Sequence, residues 1–176
     1  DMKNHRRIDY VRFNTPLGSA YVGALEGRIV KIDLHGKEFF SWVEKKFPGH
    51  GLVDQTDAPS KVLMEARDQI VEYLEGRRSE FDVPYDLKGT EFQMDVWKEM
   101  AGIPWGKTIT YSQLAEAVGR PRAARAIGGV CNKNPLPLVI PCHRVVGRDG
   151  SMVGFGSGID VKEKLLKMEK YLEEDE

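Results

Sequence analysis

The side chains best suited to chemistry lie together in Pro141-Cys142-His143-Arg144. A thiol beside an imidazole is the minimum for thiolate chemistry. The ring takes the thiol proton, and the thiolate left behind is a strong nucleophile. The dipeptide alone does not decide the matter, because a lone cysteine is more often a small residue buried in a core. Geometry adds a condition. Neighbours i and i+1 in a strand point to opposite faces, so contact between Cys142 and His143 needs a non-extended backbone or a bridging water. Pro135, Pro137 and Pro141 crowd the approach and favour such an irregular, rigid backbone. The other cysteine, Cys131, stands 11 positions upstream in a helix-like stretch and reads as a packing residue. Two cysteines and four scattered histidines (His5, His35, His50, His143) show no metal-ligand spacing. Neither a disulfide framework nor a metal centre is expected.

A second constellation is basic. Residues 102–150 hold seven Lys/Arg against two acids, in a chain whose net charge is −1. Such a segment suits a localised anionic partner such as nucleic acid, or is simply a solvated face. Within it, Thr110–Val118 and Pro121–Asn132 read as two short helices joined at Gly119-Arg120, a helix-turn-helix pattern. Leu114, Ala115 and Val118 give the first helix its apolar face. The second carries Ala123, Ala124, Ala126, Gly128 and Gly129 beside Arg122 and Arg125. Small residues let a helix approach a groove closely, and arginines reach phosphates or an opened base stack. A plain pair of antiparallel helices has the same pattern.

The elements that must position these residues fall into two halves. Asp9–Thr15, Gly18–Leu25 and Arg28–Leu34 are short, partly alternating runs separated by turn residues, which predicts an antiparallel meander. Helical spacing follows over Glu38–Phe47, stopped by Pro48-Gly49. Asp54–Ser60 reads as a loop. Ser60 can then cap a helix to about Glu75, with Gly76 as its stop. Glu80–Pro84 is a candidate last strand. Tyr85–Thr90 looks like a hinge, giving lobes 1–86 and 87–176. Beyond it strand-like alternation vanishes. Thr90–Met100 is helical, Asn134–Arg148 is proline-studded, Gly150–Gly158 is a glycine-rich loop, and Val161–Leu172 is a last helix. Trp42, Trp97 and Trp105 read as packing residues.

The composition suits a folded chain of one domain or two small ones: 176 residues, 41% apolar and 30% charged. These values exclude disordered and collagen-like classes. No apolar run approaches the roughly 20 residues of a membrane span. The first residues, DMKNHRRIDY, lack a signal-peptide core, so a cytoplasmic protein is expected.

From Tyr111 to Glu169 the chain closely resembles the O6-alkylguanine-DNA alkyltransferase family. The resemblance rests on YSQLA, AARAIGG, NKNPLPLVIPCHRVV, GRDGS and VKEKLL…E, in order. It implies an α/β (α+β) protein. An N-terminal ribonuclease-H-like lobe with a small antiparallel sheet and helices precedes a mostly helical DNA-binding half. It implies stoichiometric, single-use transfer of an alkyl group from a flipped-out O6-alkylguanine, and by extension O4-alkylthymine, to Cys142. His143 would act as base on the thiol, and Glu169 would hold the imidazole. Asn134 would tie the reactive segment to the preceding helix, and Tyr111 would hydrogen-bond the departing guanine. The resemblance places DNA contacts at Thr110, Ser112, Arg122, Ala124, Arg125 and Gly128, with Arg125 filling the vacated stack. The flipped base would lie against Met152, Phe155, Gly156 and Ser157. It implies double-stranded DNA as partner, no cofactor and a monomer.

Two departures stand out. The family usually has Tyr followed by two glycines where this chain has Phe155-Gly156-Ser157-Gly158, which removes a hydroxyl. Some members bind zinc in the N-terminal lobe, but here that lobe has no cysteine, so no such zinc is expected. Two other readings stay open: a non-catalytic protein that binds alkylated DNA, and a Cys-His hydrolase.

Overall fold

Turn chemistry sets the first three strands. In the computed structural model, which describes residues 6–149 and 158–169, β1 (Arg7–Thr15), β2 (Gly18–Leu25) and β3 (Arg28–Asp33) form the expected antiparallel meander. Glu26 and Gly27 both have positive φ (51° and 81°), the signature of the two-residue turn whose twist matches its flanking strands. The sheet has a fourth strand, β4 (Gly51–Asp54), parallel to β1, giving the order β3-β2-β1-β4. The sequence hides β4 because its four residues are mostly exposed and carry no apolar alternation. The candidate strand at Glu80–Pro84 does not form. That segment runs to a single bridge between Tyr85 and Ile29, where the Ile29 N–H donates to the Pro84 carbonyl and the Asp86 N–H to the Ile29 carbonyl.

Helix α1 (Phe39–Lys46) packs Phe39 and Val43, with Phe47 just beyond it, on Ile8 and Val30. The approach is close because Gly23 lies beneath. A Cβ there would sit 2.9 Å from the Phe39 ring. Helix α2 (Lys61–Leu74) buries one apolar stripe of Val62, Leu63, Ala66, Ile70, Tyr73 and Leu74. Ser60 stands at its N-cap but makes no side-chain cap bond. Gly76, at φ 79°, takes the left-handed stop that a Cβ would strain.

The chain divides into two units, Asp1–Leu87 and Lys88–Glu176. The second is built on α3 (Glu91–Ala101), α4 (Tyr111–Ala117), α5 (Ala124–Asn132) and α6 (Ile159–Met168). Thr90 caps α3 and Thr110 caps α4, each in a reciprocal capping box with a glutamine three residues on. This T-x-x-Q spelling fixes both helix starts. Val96, Trp97 and Met100 of α3 point inward, and the Trp97 indole N–H donates to the Val130 carbonyl of α5. Trp105 departs from the packing role expected of it and is 37% exposed. Two-residue strands β5 (Ile109–Thr110) and β6 (Val145–Val146) pair in parallel. Among the described residues, no helix is long and apolar enough to cross a membrane.

Candidate active site

The geometric condition on Cys142 and His143 is met by a 3-10 turn over Cys142–Arg144, entered from Pro141 at ψ 67°. The backbone is therefore not extended at the two residues. Cys142 is 2% exposed. Upstream, Asn134 organises the approach. Its Nδ2–H donates to the Ile140 carbonyl at 2.7 Å, and its Oδ1 accepts the Leu136 N–H at 3.0 Å. Leu138, buried in the same loop, has φ 76°, a conformation costly for a side chain with a Cβ. The loop folds back so that the Cys142 N–H donates to Ile140.

Burial pushes the Cys142 thiol up to about 11. The Asn134 side chain, the Lys162 ammonium and the Cys142 and His143 backbone groups pull the other way. His143 is fully buried, and its Nε2 lies 2.8 Å from Glu169 Oε2. Burial lowers its pKa below the ordinary histidine value, against the pull of Glu169. Glu169 stands just after α6 and is buried.

The β5–β6 pair brings Tyr111 to the same place, because α4 begins one residue after Thr110, which pairs with Val146. Tyr111 is half-buried. Burial, then the nearby Cys131 and Cys142, raise its pKa above the ordinary tyrosine value, so the phenol keeps its proton. The Lys162 ammonium lies 3.4 Å from its hydroxyl.

Two residues here carry contacts that the sequence did not assign them. Arg144 was counted with the basic segment, yet it is buried. Its Nε and Nη2 donate to the two Glu169 oxygens, both at 2.8 Å, and its Nη1 donates to the Ile103 carbonyl at 2.6 Å. Lys162 is also buried and donates to the Val145 carbonyl. A signal existed for Lys162. Lys162, Leu165, Leu166 and Glu169 follow the i, i+3, i+4, i+7 spacing of one helix face, which puts two charges on an apolar stripe.

Among the expected DNA contacts, Arg122, Arg125 and Ser112 are exposed, and Ala124 and Gly128 are partly so. A Cβ on Gly128 would meet nothing within 4 Å. Helix α5 begins at Ala124 rather than Pro121, so Arg122 lies in the turn before it. The Thr110 hydroxyl accepts the Gln113 N–H as a cap. Arg120 lies over the Phe92 ring at 5.2 Å. Met152, Phe155, Gly156 and Ser157 lie outside the described residues.

The structure also gathers a cluster that sequence spacing did not show. One ligand-type atom each from Asp33, His35 and Glu38 lies within 4.8 Å of the others. A simpler account suffices. Asp33 accepts the N–H groups of His35, Gly36 and Glu38, and the buried Lys31 ammonium meets Glu38 at 2.9 Å. The cluster ties β3 to α1 and already contains its cation.

A cysteine-bearing turn joined to a buried acid shares one unit with two short helices, one of them arginine-bearing, and comparison with known proteins gives the family. Residues 8–87 match the ribonuclease-like domain of 6-O-methylguanine DNA methyltransferase, and residues 91–171 match its DNA-binding domain. The chain is 37% identical to a methylated-DNA–protein-cysteine methyltransferase of Methanosarcina barkeri, over 92% of this chain and 96% of that one. It is 41% identical to the inducible Bacillus subtilis protein of that name, over 76% and 73%. A crystal structure of Mycobacterium tuberculosis OGT in complex with DNA is similar, with a TM-score of 0.79 at 33% identity, covering 92% of each chain. The chain belongs to the 6-O-methylguanine DNA methyltransferase family.

Proposed function

We propose that this chain repairs DNA by moving an alkyl group from O6-alkylguanine to Cys142, once per molecule. The observation that carries the reading is the Cys142–His143 turn tied through His143 to Glu169 at 2.8 Å, in the same unit as the Arg125-bearing helix. Arg125 enters the stack of double-stranded DNA when the damaged base is flipped out, offsetting part of an unstacking cost of a few kcal/mol. The protein acts as a monomer in the cytoplasm.

The reaction balances within this chain. The Cys142 sulfur forms a bond to the alkyl carbon as the carbon–O6 bond breaks. His143 takes the thiol proton, directly or through water. A buried thiol is a poor standing thiolate, so the proton leaves as the sulfur attacks. The departing guanine needs a proton or hydrogen bond, and the Tyr111 hydroxyl supplies it. The product is a thioether. Thiol exchange attacks disulfides rather than carbon–sulfur bonds, so the chain cannot regenerate itself.

The test is a titration of fixed protein with excess duplex carrying O6-methylguanine, followed by mass analysis. Repair should stop at one equivalent, with the mass of one added methylene on the Cys142 peptide. Repair continuing well past one equivalent, or an adduct elsewhere, overturns the reading. Binding without any adduct would make the chain a non-catalytic sensor of alkylated DNA, and cleavage of esters or peptides would make it a hydrolase.

A further inference from the structure

We propose that Arg144 is a positioning residue of the transfer site. By occupying both carboxylate oxygens of Glu169, it fixes His143 as the Nε2–H tautomer and leaves Nδ1 as the nitrogen that receives the Cys142 proton. The last clause rests on the alkyl-transfer reading; the tautomer does not.

The argument is one of donors and acceptors. A guanidinium has only donors and does not lose its proton in proteins. Arg144 Nε donates to Glu169 Oε1 and Nη2 to Oε2, both at 2.8 Å. The carboxylate is therefore ionised and accepts at both oxygens. His143 Nε2 lies 2.8 Å from Oε2, the oxygen that Arg144 Nη2 also uses. An ionised oxygen offers no proton, so the hydrogen of this bond belongs to Nε2. A neutral imidazole with Nε2–H keeps its lone pair on Nδ1.

The charge of Arg144 matters as much as its shape. The charged groups facing His143 are Lys162 from α6, Glu169 from just after it and Arg144 from its own turn, with the Cys142 thiol adjacent. Glu169 pulls His143 towards the imidazolium, which cannot accept a proton. Burial opposes that pull most strongly, and Arg144 adds to burial by offsetting Glu169, so the ring stays neutral and able to act as a base.

Its third bond explains why the fork stays in place. Nη1 donates to the Ile103 carbonyl at 2.6 Å, in the loop after α3, and the side chain is almost wholly buried. The guanidinium is held from two elements besides its own. This arginine therefore does not belong to the DNA-facing charge of residues 102–150.

The test reads the ring directly, by nitrogen-15 NMR of labelled histidine in the full chain between about pH 5.5 and 8, a range spanning the ordinary histidine pKa. In the wild type, His143 should show the neutral Nε2–H pattern throughout. Arg144→Met should shift it towards imidazolium at neutral pH. A ring that titrates one unit above the working pH is about 90% protonated, so transfer should fall about tenfold there and recover as pH rises. Arg144→Lys, which keeps the charge without the fork, should keep a neutral ring and an intermediate rate. A wild-type Nδ1–H tautomer or imidazolium overturns the proposal. So does a folded Arg144→Met with the wild-type ring signals and pH profile. If neither variant folds, the wild-type tautomer decides. A wild type with the Nε2–H ring but no Cys142 adduct would sink the transfer reading and leave the tautomer assignment standing.

Discussion

Asn134 reaches across six residues to hold the carbonyl of Ile140, two positions before the reactive thiol, at 2.7 Å. The same amide accepts the Leu136 N–H, so one side chain satisfies both ends of a buried loop. Asn134→Ala leaves the buried Leu136 N–H unpaired, at about 1–3 kcal/mol, while the Ile140 carbonyl keeps the Cys142 N–H. Urea unfolding should show a loss of that size, and transfer should slow. A variant with wild-type stability would mean the loop holds its shape without the clamp.

Lys162 should assist the thiol electrostatically. Its ammonium is among the groups that pull the Cys142 pKa down against burial. Replacing it with methionine should move thiolate formation, followed by ultraviolet absorbance, to higher pH and slow transfer at neutral pH. An unchanged thiolate titration would remove this role from Lys162.

The two cysteines should behave differently. Cys142→Ser should lose transfer while still binding alkylated duplex, since the exposed Arg122 and Arg125 are untouched. Cys131 is buried with its sulfur 3.8 Å from Met100 Sδ, and burial pushes its thiol up to about 12. Burial raises both thiols, but the His143–Glu169 pair stands beside Cys142, so Cys131→Ala should keep most activity. Loss of transfer in Cys131→Ala with retention in Cys142→Ser would reverse the assignment.

His143 makes stability depend on pH in a defined direction. Its folded pKa is lowered, chiefly by burial, while the unfolded chain has the ordinary value near 6.5. Between those two values the unfolded state binds more protons. Stability therefore rises with pH there and is lost as pH falls through about 6.5. Melting temperature should decline on acidification from that point, and His143→Gln should decline less steeply. Equal slopes in both proteins would assign the acid loss to other groups.

Arg125 should matter more for the flipped base than for phosphate attraction. Arg125→Ala should leave most of the salt dependence of DNA binding, whose slope counts neutralised phosphates. Transfer from duplex DNA should fall by more than transfer from free O6-benzylguanine. Equal losses on both substrates would argue that Arg125 does not act on the stack.

The elements legible in the sequence were those written in local chemistry. The meander over β1–β3 follows from alternation and turns, α2 from its apolar stripe, and the approach to Cys142 from its prolines. Four-residue β4 and two-residue β5 and β6 carry too few side chains to show a period, and their pairings join distant segments. The site divides the same way. Cys142 and His143 announce themselves by adjacency. Arg144 looks like one more surface cation until the fold sets it against Glu169, 25 residues away. The Arg120 side chain, counted in the same basic segment, is exposed and also lies over the Phe92 ring, a contact with no local signal in the sequence.

The pairing of Thr110 with Val146 has a consequence for the order in which the protein comes into being. The strands of the first unit close mostly between near neighbours, with turns of two residues between β1, β2 and β3. The reactive turn instead depends on Ile103, Thr110, Asn134, Lys162 and Glu169. Closing such long loops has an entropic cost before any contact is gained. During synthesis the first unit can complete its sheet while the thiol is still held by nothing. The nucleophile is set only when Glu169 has left the ribosome, so a nascent chain halted before that point should carry Cys142 unpoised, as an ordinary thiol.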